Sequence, residues 1–186
     1  MNPIKNKKDL EATINEIRNF AYSYLEKYSP SKQQLKIYLY KKLIKKKQKI
    51  FNKKEVFNLI DSVIGILVEK KFLSDKYYSD VKSRAFLRKG YSLNKIRYNL
   101  IKKGIDEKYI KASISKIKEK ESDPDFFSAI KICKRRRIGP SREENNRSLF
   151  YKKDISILAR SGFNYELSKR VLEIPKEEFI KFCKMI

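Results

Sequence analysis

The chain has five glycines, and three of them share one local grammar: Gly90-Tyr91-Ser92, Gly104-Ile105-Asp106 and Gly162-Phe163-Asn164. Each is a glycine, then a hydrophobe, then a residue able to cap a helix. Glycine takes the left-handed conformation that ends a helix without a Cβ penalty, and the hydrophobe after it packs back on the helix just finished. The Ser, Asp or Asn in third place can accept hydrogen bonds from the free N–H groups of a new helix. Each triplet therefore predicts a tight helix-to-helix corner, with Gly90, Gly104 and Gly162 at the stop and Ser92, Asp106 and Asn164 at the restart.

Between the corners, apolar residues recur at helical spacing, as in Val56, Phe57, Ile60, Val63, Ile64 and Leu67, and again in Ile96, Leu100 and Ile101. No long alternating run supports a sheet. The fold class is all-α, with about nine or ten helices.

Recurring corners imply repeats. Asn99–Ile114 superposes on Ser156–Leu172 with Gly104 on Gly162, Ile105 on Phe163 and Asp106 on Asn164. Leu73–Val81 pairs with Ser122–Ile130, and Ser31–Leu39 pairs with Ser92–Leu100. The expected organisation is three tandem three-helix repeats at 20–72, 73–121 and 122–173. Residues 1–19 form a helical extension or the start of the first repeat, 134–147 a basic insertion in the third, and 174–186 a short helical tail. Units of about 50 to 60 residues have small cores. Stacking them buries the remaining apolar faces in an elongated, curved, solenoid-like molecule.

Lys and Arg number 46 against 22 acids, a formal charge of +24. Such a balance points to a polyanion or an acidic protein surface, although AT-rich codon usage also inflates Lys on solvated helix faces. The arrangement is more telling. Three windows lack any acid: Glu26 to Glu55 with eleven Lys, Asp80 to Asp106 with eight Lys or Arg, and Asp125 to Glu143 with six. Together they predict a basic ridge of Lys41, Lys42, Lys45, Lys46, Arg84, Arg88, Lys89, Lys95, Arg97, Lys102, Lys103, Arg135, Arg136, Arg137 and Arg142. Tyr38, Tyr40, Tyr91 and Tyr98 interleave with these bases, as on surfaces that combine charge with stacking. Helical spacing favours the core for Tyr98 and leaves Tyr38 and Tyr40 open. Lys134–Arg142 is the strongest local patch because Arg can fork to phosphate or carboxylate; its alternative is a disordered charged linker.

The chain contains no His, which removes the commonest general base and metal ligand. It has no GxxxxGK[ST] loop and no GxGxxG. Cys133 and Cys183 fit no metal or redox spacing. No catalytic residue, cofactor or metal is expected. Neither a signal peptide nor a membrane span is legible, so the expected setting is the cytoplasm.

Two stretches, Lys70–Ile110 and Ala159–Leu172, resemble the central repeat and closing motif of the bacterial RecX family, regulators of the RecA recombinase. Arg135–Arg142 resembles a variant third repeat within that family. Lys stands in place of many family Arg, and the first repeat reads KKKQKIF near Lys47 where a Gly is expected, making that corner longer and looser. The resemblance implies a monomeric, non-enzymatic helical modulator. It would bind RecA, lodge in the groove of the RecA–DNA filament, and limit recombinase and coprotease activity in recombination and DNA repair. The alternative is a basic helical-repeat protein that binds single- or double-stranded nucleic acid directly, independent of RecA.

Overall fold

The computed structural model describes residues 7–45 and 53–186, with side chains from Thr13 onward. Within these residues there is no strand, and ten α-helices succeed one another. They are α1 (Lys7–Leu25), α2 (Lys32–Lys45), α3 (Lys53–Glu69), α4 (Asp75–Arg88), α5 (Leu93–Ile101), α6 (Glu107–Lys120), α7 (Pro124–Arg136), α8 (Glu144–Arg160), α9 (Tyr165–Leu172) and α10 (Lys176–Lys184). Helix α1 runs unbroken across position 20, so the helix itself has no break between an N-terminal extension and a first repeat. The corner expected near Lys47 lies outside the described residues.

The chain gathers into two compact units. One comprises Met1–Tyr78 with Lys103–Asp106, the other Ser79–Lys102 with Glu107–Ile186.

In the first unit, α1, α2 and α3 turn their apolar stripes toward one core. Ile17 and Ala21 meet Leu35, Leu39 and Leu43, and these pack on Ile60, Val63 and Leu67. The spacings of three and four residues are those of single helical faces, and full burial of each large side chain contributes about 1.5–3 kcal/mol. Helix α2 opens on a reciprocal cap. Gln34 N donates to Ser31 Oγ (3.2 Å), while Ser31 N donates to Gln34 Oε1 (3.1 Å). Asp75 Oδ1 accepts from Lys32 N at 2.9 Å. Ser31 Oγ itself donates to the Lys103 carbonyl at 2.6 Å, and Gly104, at φ +72°, lies directly over Gln33.

The same joint recurs inside the second unit. Ser92 Oγ caps α5 by accepting from Lys95 N (3.1 Å) and donates to the Gly162 carbonyl (2.8 Å). Asp125 Oδ1 accepts from Leu93 N at 2.7 Å. Gly162, at φ +96°, has Ser92 and Lys95 where a Cβ would go. Thus a corner glycine both reverses the chain and admits the capped start of a distant helix; local grammar signals only the first of these roles.

The main core of the second unit joins Phe126, Ile130 and Ile132 of α7, Leu158 of α8, Val171 and Leu172 of α9, and Phe179 of α10. Helices α4 and α6 meet instead through small polar residues. Ser113 Oγ donates to Asp80 Oδ1 (2.7 Å) and lies 2.9 Å from Ser79 Oγ, which donates to the Tyr109 carbonyl (3.2 Å). Lys116 Nζ closes the set on Asp80 Oδ2 at 2.6 Å.

The basic stretch 134–147 is folded rather than a loose linker. Pro124 opens α7, with Asp123 Oδ1 accepting from Phe126 N (3.1 Å), and Arg137 ends the helix in the left-handed region at φ +53°. Ile138, Gly139 and Pro140 are then buried. Asp154, only 1% exposed, accepts from Gly139 N (2.9 Å) and takes a two-point fork from Arg142, both bonds at 2.8 Å. Arg147 Nη2 donates to the carbonyls of Leu172 and Ile174, each at 2.7 Å.

Candidate partner and nucleic-acid interface

In the first unit, α2 presents Lys41, Lys42 and Lys45 to solvent. Lys46 lies outside the described residues. Lys42 Nζ stands 5.7 Å from the Tyr38 ring centre, and Tyr38 stacks on Tyr24 at 4.0 Å between centres. Tyr40 stacks on Phe57 at 4.6 Å. Both tyrosines are half-buried, each supporting a helix contact with one face. Lys103 is exposed, although its carbonyl is taken by Ser31.

In the second unit, Arg84, Arg88 and Lys89 are exposed along and just beyond α4. Arg135 Nη2 donates to the Lys89 carbonyl at 2.8 Å, so two windows distant in sequence meet here. Arg136 and Arg137 are exposed beside Arg135 in the chain. A basic cluster therefore forms where the ends of α4 and α7 approach one another. Arg97 has a partner already, Glu107 Oε1 at 2.9 Å. Arg142 is committed more fully. Its fork grips buried Asp154 and its guanidinium carbon lies 4.6 Å from the Phe150 ring centre, so it acts as a staple of the basic stretch rather than as part of an open ridge.

Tyr98 overturns the expectation of a core position. It is 49% exposed on α5, with Lys102 Nζ 4.4 Å and Lys95 Nζ 5.6 Å from its ring centre. A hydrogen bond from Lys102 and that residue's charge hold the Tyr98 phenol below its usual value. An open aromatic face between two ammonium groups can stack a planar ring while the lysines meet phosphates. The flanking lysines, three residues before and four after, place cations on the same helix face and were the available sequence signal. Tyr91 instead stacks on Phe86 at 5.7 Å and is half-buried.

Burial pushes the Cys133 thiol up to about 12, leaving it a packed, protonated group, and Cys183 is raised by the same cause. Among the described residues, no group of three or more His, Cys, Asp or Glu could hold a metal ion. No described helix is long and apolar enough to cross a membrane.

The chain is 26% identical over 165 residues to regulatory protein RecX of Myxococcus xanthus (strain DK1622), covering 84% of each chain. It is 29% identical over 117 residues to regulatory protein RecX of Clostridioides difficile (strain 630), covering 62% of this chain and 52% of that one. A crystal structure of RecX from Lactobacillus salivarius matches with a TM-score of 0.57 at 18% identity, covering 93% of this chain and 97% of that one. The chain is similar to RecX proteins in sequence and in fold. A second RecX crystal structure, at TM-score 0.56 and 18% identity, has the same fold over 92% of this chain. No family model matches. Both of these relatives in sequence are named regulatory proteins.

Proposed function

We propose that this chain is a RecX-family regulator that binds the RecA recombinase and its nucleoprotein filament and limits recombinase and coprotease activity in recombination and DNA repair. The observation that carries this reading is the match to a regulatory protein RecX across 84% of both chains. The basic groups support it: Arg88, Lys89, Arg135, Arg136 and Arg137 stand exposed as a set suited to carboxylates or phosphates. The protein acts without catalytic residues, cofactor or metal, as a monomer in the cytoplasm. The test is to titrate it into RecA filaments on single-stranded DNA with ATP and monitor strand exchange and ATP hydrolysis. Inhibition well below one chain per RecA protomer is expected; inhibition that only tracks coating of bare DNA would overturn filament regulation.

Tyr98 favours a second reading, direct contact with an unpaired strand. Its ring, open between Lys95 and Lys102, offers stacking together with charge. Under that reading Tyr98→Ala weakens binding to single strands far more than to duplex, whereas a purely electrostatic surface loses both equally.

A further inference from the structure

Between α4 and α6, within the second unit, lies a cleft of about 370 Å³. Leu87 and Ile117 contribute its apolar lining, while Arg84, Arg88 and Lys120 stand around it. Two of its acids are already engaged: Asp80 is held by Lys116 and Ser113, and Glu119 Oε1 accepts from Ser115 at 3.2 Å. Glu121 also lines the cleft, and its Oε2 is buried without any hydrogen-bond partner. A buried carboxylate oxygen without a donor is costly, and an incoming N–H relieves that cost. On the α4 side the positive rim continues through Lys89 to Arg135.

We infer that this cleft docks an acidic peptide segment of a partner protein that carries one large apolar anchor residue. The anchor enters between Leu87 and Ile117, flanking carboxylates pair with Arg84 and Arg88, and a backbone N–H of the segment donates to Glu121 Oε2. A nucleic acid fits less well, because its phosphates would use the arginines but leave the apolar lining of Leu87 and Ile117 wet. This deepens the regulator reading by naming the chemistry of the partner, and it rests on that reading only for the partner's identity.

The test uses the full chain and a synthetic peptide, Gly-Ser-Glu-Glu-Phe-Glu-Glu-Ser-Gly, without any recombinase, so a failure here leaves the regulator reading standing. Methyl NMR of the chain should show saturable shifts at Leu87 and Ile117 on peptide addition. Replacing the peptide's phenylalanine by alanine should weaken binding about tenfold or more, as truncation of a pocketed anchor does. Replacing its glutamates by lysines should abolish binding, and the exposed pair Arg84→Glu with Arg88→Glu should cost a similar factor while the spectrum stays folded. No methyl shift at millimolar peptide, shifts confined to other residues, or equal affinity for the alanine peptide would each overturn the inference. A single-stranded oligonucleotide that shifts the same methyls more strongly than the peptide would overturn it as well. If the double variant unfolds, the wild-type methyl map and the peptide series decide alone.

Discussion

At the scale of single residues, the glycines separate by what surrounds them. Gly162 combines φ +96° with a site where a Cβ would fall on Ser92 Oγ and lie 2.6 Å from Lys95 Cβ. Gly104 combines φ +72° with Gln33 Cβ at 2.5 Å. Gly65 sits inside α3 with nothing within 4 Å. Gly104→Val should therefore cost more than the roughly 1 kcal/mol that separates Gly from Ala in a helix, since strain at positive φ adds to a clash. Gly162→Ala should be similarly destabilising, and Gly65→Ala should stabilise by about 0.5–1 kcal/mol through reduced chain entropy. Urea midpoints of the three variants measure the contrast; an unchanged midpoint for Gly104→Val would contradict a joint in which Gly104 seats against Gln33.

At the scale of elements, two buried polar sets hold helices in place. Asp154 ties α8 to the stretch after α7 through Gly139 and Arg142. Asp154→Ala orphans an amide and a guanidinium together. The Arg142 side chain keeps 21% exposure, so the loss should fall near about 2–3 kcal/mol, below the range for fully enclosed pairs. Thermal unfolding checks it, and local hydrogen exchange should rise over residues 137–147 first. Two carboxylates of the second unit, Asp80 and Asp125, are shifted in opposite senses. Burial disfavours the Asp80 carboxylate, but hydrogen bonds from Lys116 and Ser113 and the charges of Lys116 and Arg84 outweigh it, so its pKa is lowered. Its stabilisation is present above the unfolded-state value and lost as pH falls through the lower folded value. Burial raises Asp125, with the charge of Asp123 adding to it against the hydrogen bond from Leu93. That group favours folding below its unfolded value, and the advantage disappears as pH rises through its folded one. Carboxyl NMR titration should find Asp80 below and Asp125 above the usual aspartate range, and Lys116→Met should move Asp80 upward.

At the scale of the whole molecule, a charge of +24 attracts any polyanion, and salt distinguishes attraction from recognition. Binding to bare single strands through phosphates should fall with salt at a log–log slope of about −0.7 per phosphate, so six contacts would give about −4. The proposed docking to a RecA filament would add apolar and hydrogen-bonded contacts, which salt screens less. Filament affinity should stay higher at every salt concentration and persist where bare-strand binding is lost. Parallel, equal curves would promote the direct nucleic-acid reading.

The all-α class was legible because helical periodicity and glycine's access to positive φ are local properties, carried within a few residues of chain. Ser92 and Asn164 cap their helices from side chains three positions before the donors, so short sequence windows contain both partners. Tyr98 was misread because its spacing does not say which arc of a short helix finds a neighbour; only packing left it open beside Lys95 and Lys102. Arg142 looked like a free cation in an acid-free window, yet its acid arrives from α8, twelve positions later. The contacts from Ser31 to Lys103 and from Ser92 to Gly162 span 72 and 70 positions. Local conformational preference selected the helices and their corners, while the pairing of side chains far apart in sequence, which only tertiary packing creates, decided which cations and rings remain open to a partner.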